Sequence, residues 1–128
     1  MSSTISQGIN IAVETFYQSE YSNPANNEYL FAYKITITNN NSFAVKLLRR
    51  HWFILDSNGS SKEVEGEGVV GNQPLIFPTE SYQYISSCIL KSEIGKMHGN
   101  YLMENAQNKT TFKAIIPEFM LEVPSKLN

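Results

Sequence analysis

Residues 31–38 read Phe31-Ala32-Tyr33-Lys34-Ile35-Thr36-Ile37-Thr38, with the large apolar side chains on odd positions and Lys34, Thr36 and Thr38 on even ones. A period of two marks an extended strand with one buried face and one wet face. The run stops at Asn39-Asn40-Asn41-Ser42, residues whose side chains bond their own backbone and favour turns. Upstream, Ile9, Ile11 and Val13 predict a first strand, and the polar stretch 19–27, broken at Asn23-Pro24, predicts a loop. Downstream, a third strand over Val45–Leu55 runs into Asp56-Ser57-Asn58-Gly59. Asn58-Gly59 predicts a two-residue hairpin turn, since both central residues of a type I′ turn need positive φ. The return strand is expected over Lys62–Val70. Beyond Pro74 and Pro78, strands are expected near Ser81–Leu90, Met97–Glu104 and Thr111–Ile116, with a last one through Phe119, Leu121 and Val123. One helical turn is expected over Ser92–Lys96. Seven or more short strands with regular turns predict an all-β, two-sheet sandwich, immunoglobulin-like or fibronectin type III-like. A closed barrel is the competing architecture.

Composition suits that fold. Of 128 residues, 41% are hydrophobic and 12% aromatic, enough for a core that buries about two-thirds of the unfolded chain's surface. A single domain over 1–128 is expected, with its ordered core at about 9–124. Ten basic residues against twelve acidic ones give a net charge of −2, so no general attraction to nucleic acid or anionic membrane is expected. Cys88 is the one cysteine, which excludes an intrachain disulfide. Residues 1–8 carry no signal-peptide pattern. Tyrosine aside, the longest fully apolar run is four residues, Trp52–Leu55, where a membrane helix needs about twenty. A cytoplasmic protein is the expectation.

The most conspicuous motif is Gly66-Glu67-Gly68-Val69-Val70-Gly71, a formal G-x-G-x-x-G. In dinucleotide-binding folds that pattern joins a strand to a helix whose amides face a pyrophosphate. Here no helix is predicted after Gly71, and Glu63, Glu65 and Glu67 would line one strand face about 7 Å apart, repelling phosphate. A two-residue Asn58-Gly59 turn would set Arg50 opposite Glu67 and Trp52 opposite Glu65, a cross-strand ion pair worth a few tenths of a kcal/mol. Two readings stay open for the glycines: a bend the fold needs, or exposed backbone that a ligand or partner approaches.

Taken together, Arg50-His51-Trp52-Phe53-Ile54, Asp56, Gly59, the block Glu63–Gly71 and Gln73-Pro74-Leu75 closely resemble ApaG proteins. So do Tyr82-Gln83-Tyr84 with Ser87 and Cys88, Met97-His98-Gly99 with Tyr101 and Met103, and Ile116-Pro117 with Phe119. The resemblance spans about residues 9–124. It implies a fibronectin type III-like sandwich and an association with cobalt and magnesium efflux phenotypes. It also implies protein binding, because related domains occur in a eukaryotic F-box protein and a DNA polymerase-interacting protein. In this family the glycine motif is likened to a pyrophosphate-binding signature. Ser92-Glu93-Ile94-Gly95 departs from the family's Thr-Pro-x-Gly. The resemblance carries over no catalytic residues.

Chemistry beyond binding has few candidates. His51, Glu65 and His98 are the candidate metal ligands, since imidazole with carboxylate suits a transition ion such as cobalt. A cysteine nucleophile at Cys88 needs a base in reach and a lowered pKa; either histidine could supply the base, but nothing in the sequence points to it, and a small buried core residue is the expectation. Lys46, Arg49, Arg50 and His51 form the densest basic cluster, too thin in an acidic chain to predict nucleic-acid binding. The sequence therefore predicts a non-enzymatic binding or adaptor domain without a cofactor. Its contact surface would comprise Arg50, Trp52, Gly66, Glu67, Gly68 and Gly71, facing an unidentified protein partner. The alternative is a module for a pyrophosphate-containing nucleotide or a divalent cation. Pyrophosphate titration followed at the amides of residues 66–71 tests that alternative, and unchanged shifts at millimolar ligand would remove it.

Overall fold

A computed structural model describes residues 1–124. Its strands are β1 (Ser2–Ser6), β2 (Ile9–Tyr17), β3 (Tyr29–Asn39), β4 (Val45–Asp56), β5 (Ser61–Glu67), β6 (Leu75–Ile76), β7 (Ser81–Leu90), β8 (Ile94–Asn105) and β9 (Thr111–Glu122). One antiparallel sheet runs β1-β2-β3-β7 and the other β5-β4-β8-β9, with β6 paired to the start of β4. The architecture is thus the expected all-β sandwich. Phe31, Tyr33, Ile35 and Ile37 are buried, as their odd spacing requires, and Ile9, Ile11 and Val13 of β2 lie beside them on the same inner face. Along one side the sheets meet, where the Ile115 amide of β9 donates to Ser6 Oγ of β1 at 2.8 Å. Along the other side β7 and β5 are both sheet edges.

Three expectations need correction. The β4–β5 turn has three residues, not two: the Gly59 amide donates to the Asp56 carbonyl at 3.0 Å, Asp56 N–H donates to the Ser60 carbonyl at 2.9 Å, and Gly59 sits at φ +95°. A type I turn followed by a left-handed glycine is the other common short hairpin. The register moves by one residue, so Arg50 lies opposite Gly66, Trp52 opposite Val64, His51 opposite Glu65 and Arg49 opposite Glu67. Arg50–Glu67 and Trp52–Glu65 are not pairs. Second, the last two expected strands are one: β9 passes through Pro117, with a register shift between Met97 and Gly99 of β8 that absorbs the proline in a bulge. Third, Ser92–Lys96 forms no helical turn; β8 already begins at Ile94. Strand β1 went unforeseen because Ile5 is its one large apolar residue; Gln7 and Gly8, both at positive φ, fold it back onto β2.

The core is knotted around Trp52, whose ring stands edge-on to Tyr33, Tyr101 and Phe119 at centroid distances of 5.5, 6.4 and 5.9 Å. Across the sandwich the Tyr84 and Tyr101 hydroxyls hydrogen-bond to each other. Burial pushes the ionisation of Tyr84, Tyr101 and Tyr33 upward, because a phenolate there would lose its hydration. Unfolding frees these phenols to ionise near pH 10, while the folded state keeps their protons. Stability should therefore hold below about pH 10 and fall above it, by about 1.4 kcal/mol per pH unit for each such phenol. Urea unfolding across that range checks this: Tyr84→Phe should flatten the slope, and a pH-independent midpoint would contradict it.

Candidate functional site

Strand β4 changes phase at Leu48. Leu47 pairs with Met103 and Arg49 with Leu102, which leaves Leu48 as an extra, unpaired residue. Before this bulge Val45 and Leu47 point inward; after it Arg50, Trp52 and Ile54 do. The Leu48 carbonyl accepts the Gly68 amide at 2.8 Å and Gln73 Nε2 at 2.9 Å, so the bulge also anchors the glycine segment. Arg50 Nη1 in turn donates to the Glu67 and Gly68 carbonyls at 3.0 and 3.1 Å.

Each glycine of the motif has a local task. A Cβ on Gly66 would lie 2.8 Å from the Arg50 guanidinium, and one on Gly68 (φ +59°) would lie 2.0 Å from the Asn72 carbonyl oxygen. Gly71 (φ +79°) is the second central residue of a two-residue turn closed by reciprocal Val69–Asn72 hydrogen bonds at 2.8 and 2.9 Å. The first is Val70 at φ +47°, a strained conformation for a β-branched side chain, and Val70 is exposed. No helix follows Gly71; the chain continues to β6. The motif closes a hairpin and makes room for an arginine.

Between the β5 and β7 edges the sandwich stays open as a cleft of about 380 Å³, whose walls include Tyr33, Arg50, Lys62, Val64, Ser86 and Cys88. A smaller lobe continues past Arg50 toward Val70 and Tyr84. Among the described residues the lining carries two cations and no carboxylate. Burial pushes the Cys88 thiol up; Lys62 opposes that shift and Asp56 adds to it. No histidine lines the cleft, so the thiol has no base there.

The outer face of the same sheet carries a different cluster. His51 Nε2 lies 2.6 Å from Glu63 Oε2 and 3.2 Å from Glu65 Oε1, and one donor atom from each residue falls within 4.8 Å of the others. The His51 ring stacks on Phe53 at 4.4 Å, and Phe53 stacks on His98 at 5.0 Å.

The structure therefore brings some predicted residues together and separates others. Arg50 and Gly66 meet at the mouth of the cleft, with Gly68 and Gly71 beside them. Trp52 is 3% exposed and belongs to the core, where it forms part of the inner wall of the cleft and of its smaller lobe. Glu67 contributes its carbonyl to Arg50, not its carboxylate. His51 and Glu65 meet and gain Glu63, whereas His98 stays outside their cluster. Lys62 was missed as a site residue. Its alternation with Val64 and Gly66, opposite in phase to the three glutamates, was the available signal.

Among the described residues no helix is long and apolar enough to cross a membrane. The model of the ApaG domain family matches residues 19–105. Curated relatives called Protein ApaG, from Brucella canis and from an Azoarcus species, are each 44% identical to this chain. The first covers 98% of this chain and 96% of its own length, the second 100% of both. A crystal structure from Bordetella pertussis, described as an ApaA protein, superposes with a TM-score of 0.87 at 40% identity, covering 91% of this chain and 94% of that one.

Replacing Gly66 by alanine should push the guanidinium off its two carbonyls. The expected result is faster hydrogen exchange at the amides of residues 68–72 and a loss of about 1–3 kcal/mol in stability. Unchanged exchange would mean that Arg50 does not hold the hairpin.

Proposed function

This chain belongs to the ApaG family, and from that premise we propose that it is a non-enzymatic binding domain that engages a protein partner at the open side of the sandwich. The observation that carries the reading is the cleft between β5 and β7, with Arg50 at its mouth and strained, exposed Val70 on its lip. Backbone strain persists where something other than stability retains it, and arginine is prominent among residues that dominate interface energetics. The absence of a carboxylate from the lining favours an acidic partner surface. Against an enzyme stand the groups themselves: the buried Cys88 thiol and the core phenols are all pushed toward their neutral forms, the reverse of an activated nucleophile or base. The family's association with cobalt and magnesium efflux would then reflect the partner's role.

A second reading has its own observation. The His51–Glu63–Glu65 triplet offers one imidazole and two carboxylates, a donor set suited to a divalent transition ion such as cobalt better than to magnesium. A pyrophosphate-binding role draws no such support, because each glycine of the motif is occupied by the hairpin.

The tagged full-length chain, cross-linked in its own host, tests the proposal. A discrete protein recovered in near-equal amount, and lost with Arg50→Ala and with Val70→Asn, is the expected result. Val70→Asn should at the same time stabilise the isolated domain by about 1 kcal/mol, because asparagine tolerates a left-handed turn position. Recovery unaffected by both changes would overturn the assignment of this surface. Cobalt titration that fails with His51→Ala and Glu65→Gln, together with no protein recovered, would favour the second reading.

A further inference from the structure

Strand β7, Ser81-Tyr82-Gln83-Tyr84-Ile85-Ser86-Ser87-Cys88-Ile89-Leu90, is an edge of ten residues without a charge or a proline. Native sandwiches guard long edges with lysine, proline, bulges or covering elements, because unpaired amides and carbonyls invite another strand. The other edges here are guarded. Strand β5 carries Lys62, Glu63, Glu65 and Glu67, and β1 and β9 lie against each other. Among the described residues strand β7 alone of these edges is left open, and its outer face exposes Ile85 and Ile89 at 63% and 54%.

A strand added to β7 would extend the four-stranded sheet over the cleft. Alternate side chains of that strand would then point inward, toward the inner row of β5. That row reads Lys62, Val64 and Gly66, with Arg50 lying over Gly66. Four residues of extended chain separate Lys62 from Gly66, about 13 Å at about 3.3 Å per residue. The two cations are therefore spaced for side chains four residues apart on one face, with an apolar position between them over Val64. Both carbonyls that hold Arg50 are taken by Nη1, and among the described residues Nη2 and Nε make no hydrogen bond to protein. Those donors are available to a carboxylate, and charge-assisted pairing of that kind is stronger than a neutral hydrogen bond.

We propose that β7 and the cleft bind an extended segment of a partner protein with the pattern acid-x-apolar-x-acid, which pairs its backbone with the β7 edge and sets its two carboxylates on Arg50 and Lys62. The pattern reads the same in both chain directions, so parallel and antiparallel addition satisfy it equally. This is strand addition, with main-chain bonds supplying affinity and alternate side chains supplying specificity. It rests on the binding-domain reading and sharpens it to one surface and one chemistry.

The probes are two synthetic peptides of one composition, acetyl-Thr-Glu-Thr-Val-Thr-Glu-Thr-amide and its isomer acetyl-Thr-Glu-Thr-Val-Glu-Thr-Thr-amide. In the isomer the two acids project from opposite faces of an extended chain. Titrated into isotopically labelled protein, the first should shift amides along residues 81–90 and bind about fivefold or more tightly than the isomer. Lys62→Gln, a change on an exposed side chain, should erase that difference with the fold intact; Arg50→Gln should erase it too, with the glycine hairpin loosened. Equal binding of the two peptides, or shifts elsewhere than β7, would overturn the proposal. So would a dimer, seen by sedimentation, that Gln83→Lys dissociates, since a second copy would then own the edge. A host partner still lost with Arg50→Ala while both peptides are ignored would sink the pattern and leave the binding-domain reading standing.

Discussion

One extra residue in β4 decides where everything else points. With Leu48 unpaired, the alternation switches from odd-inward at Val45 and Leu47 to even-inward at Arg50, Trp52 and Ile54. Without that switch the arginine would face solvent beside the glutamates, and the tryptophan would leave its aromatic cage. The bulged carbonyl also receives Gly68 and Gln73, so the irregularity is tied to the glycine hairpin and not merely tolerated. A bulge next to a functional surface commonly re-aims a side chain in this way. Here it turns a charged residue into a mostly apolar sandwich, and backbone carbonyls of Glu67 and Gly68 receive it.

That inward arginine makes sense because the sandwich is asymmetric. The β1–β9 side is closed by a direct hydrogen bond, while the β5–β7 side keeps a gap that water can enter. A guanidinium at the gap can hold the hairpin with one nitrogen and still present others outward, so it costs less there than in a sealed core. The outer face of the same sheet takes the opposite charges, with Glu63 and Glu65 gathered on His51. One hairpin thus keeps its three glutamates on the outer row, with Arg49 opposite Glu67 there, and leaves only cations, Arg50 and Lys62, among the charges of its inner row.

How much of this could be read beforehand follows from where sequence signals are local. The period of two in 31–38 and 9–13 needed only side-chain polarity, and the sheet faces came out as expected. The hairpin register needed the turn type, and Asn58-Gly59 fits both a two-residue and a three-residue loop; the choice fell to backbone geometry at Gly59. The bulge left a trace in the paired apolar residues Leu47-Leu48, where odd spacing gives way to even. Pro117 looked like a strand end and is instead a bulge inside β9, because an isolated proline cannot distinguish the two. Arg50 and the glycines share one block of the sequence and meet in the structure, and Trp52, chosen with Arg50 because such side chains dominate interfaces, lies deep in the core behind the cleft. Lys62 alternates with Val64 and Gly66 against the three glutamates, which marks its row, but which β4 residues that row meets depends on the hairpin register.

Trp52 is the one tryptophan of the chain, which makes the phase of β4 directly measurable. Its fluorescence, with quenching by acrylamide, reports whether the even residues after Leu48 face the core. Emission shifted well to the blue of free tryptophan, with quenching several-fold weaker, is the predicted result. Emission and quenching like those of a solvated indole would mean that Arg50 also faces outward, and the cleft as described would not exist.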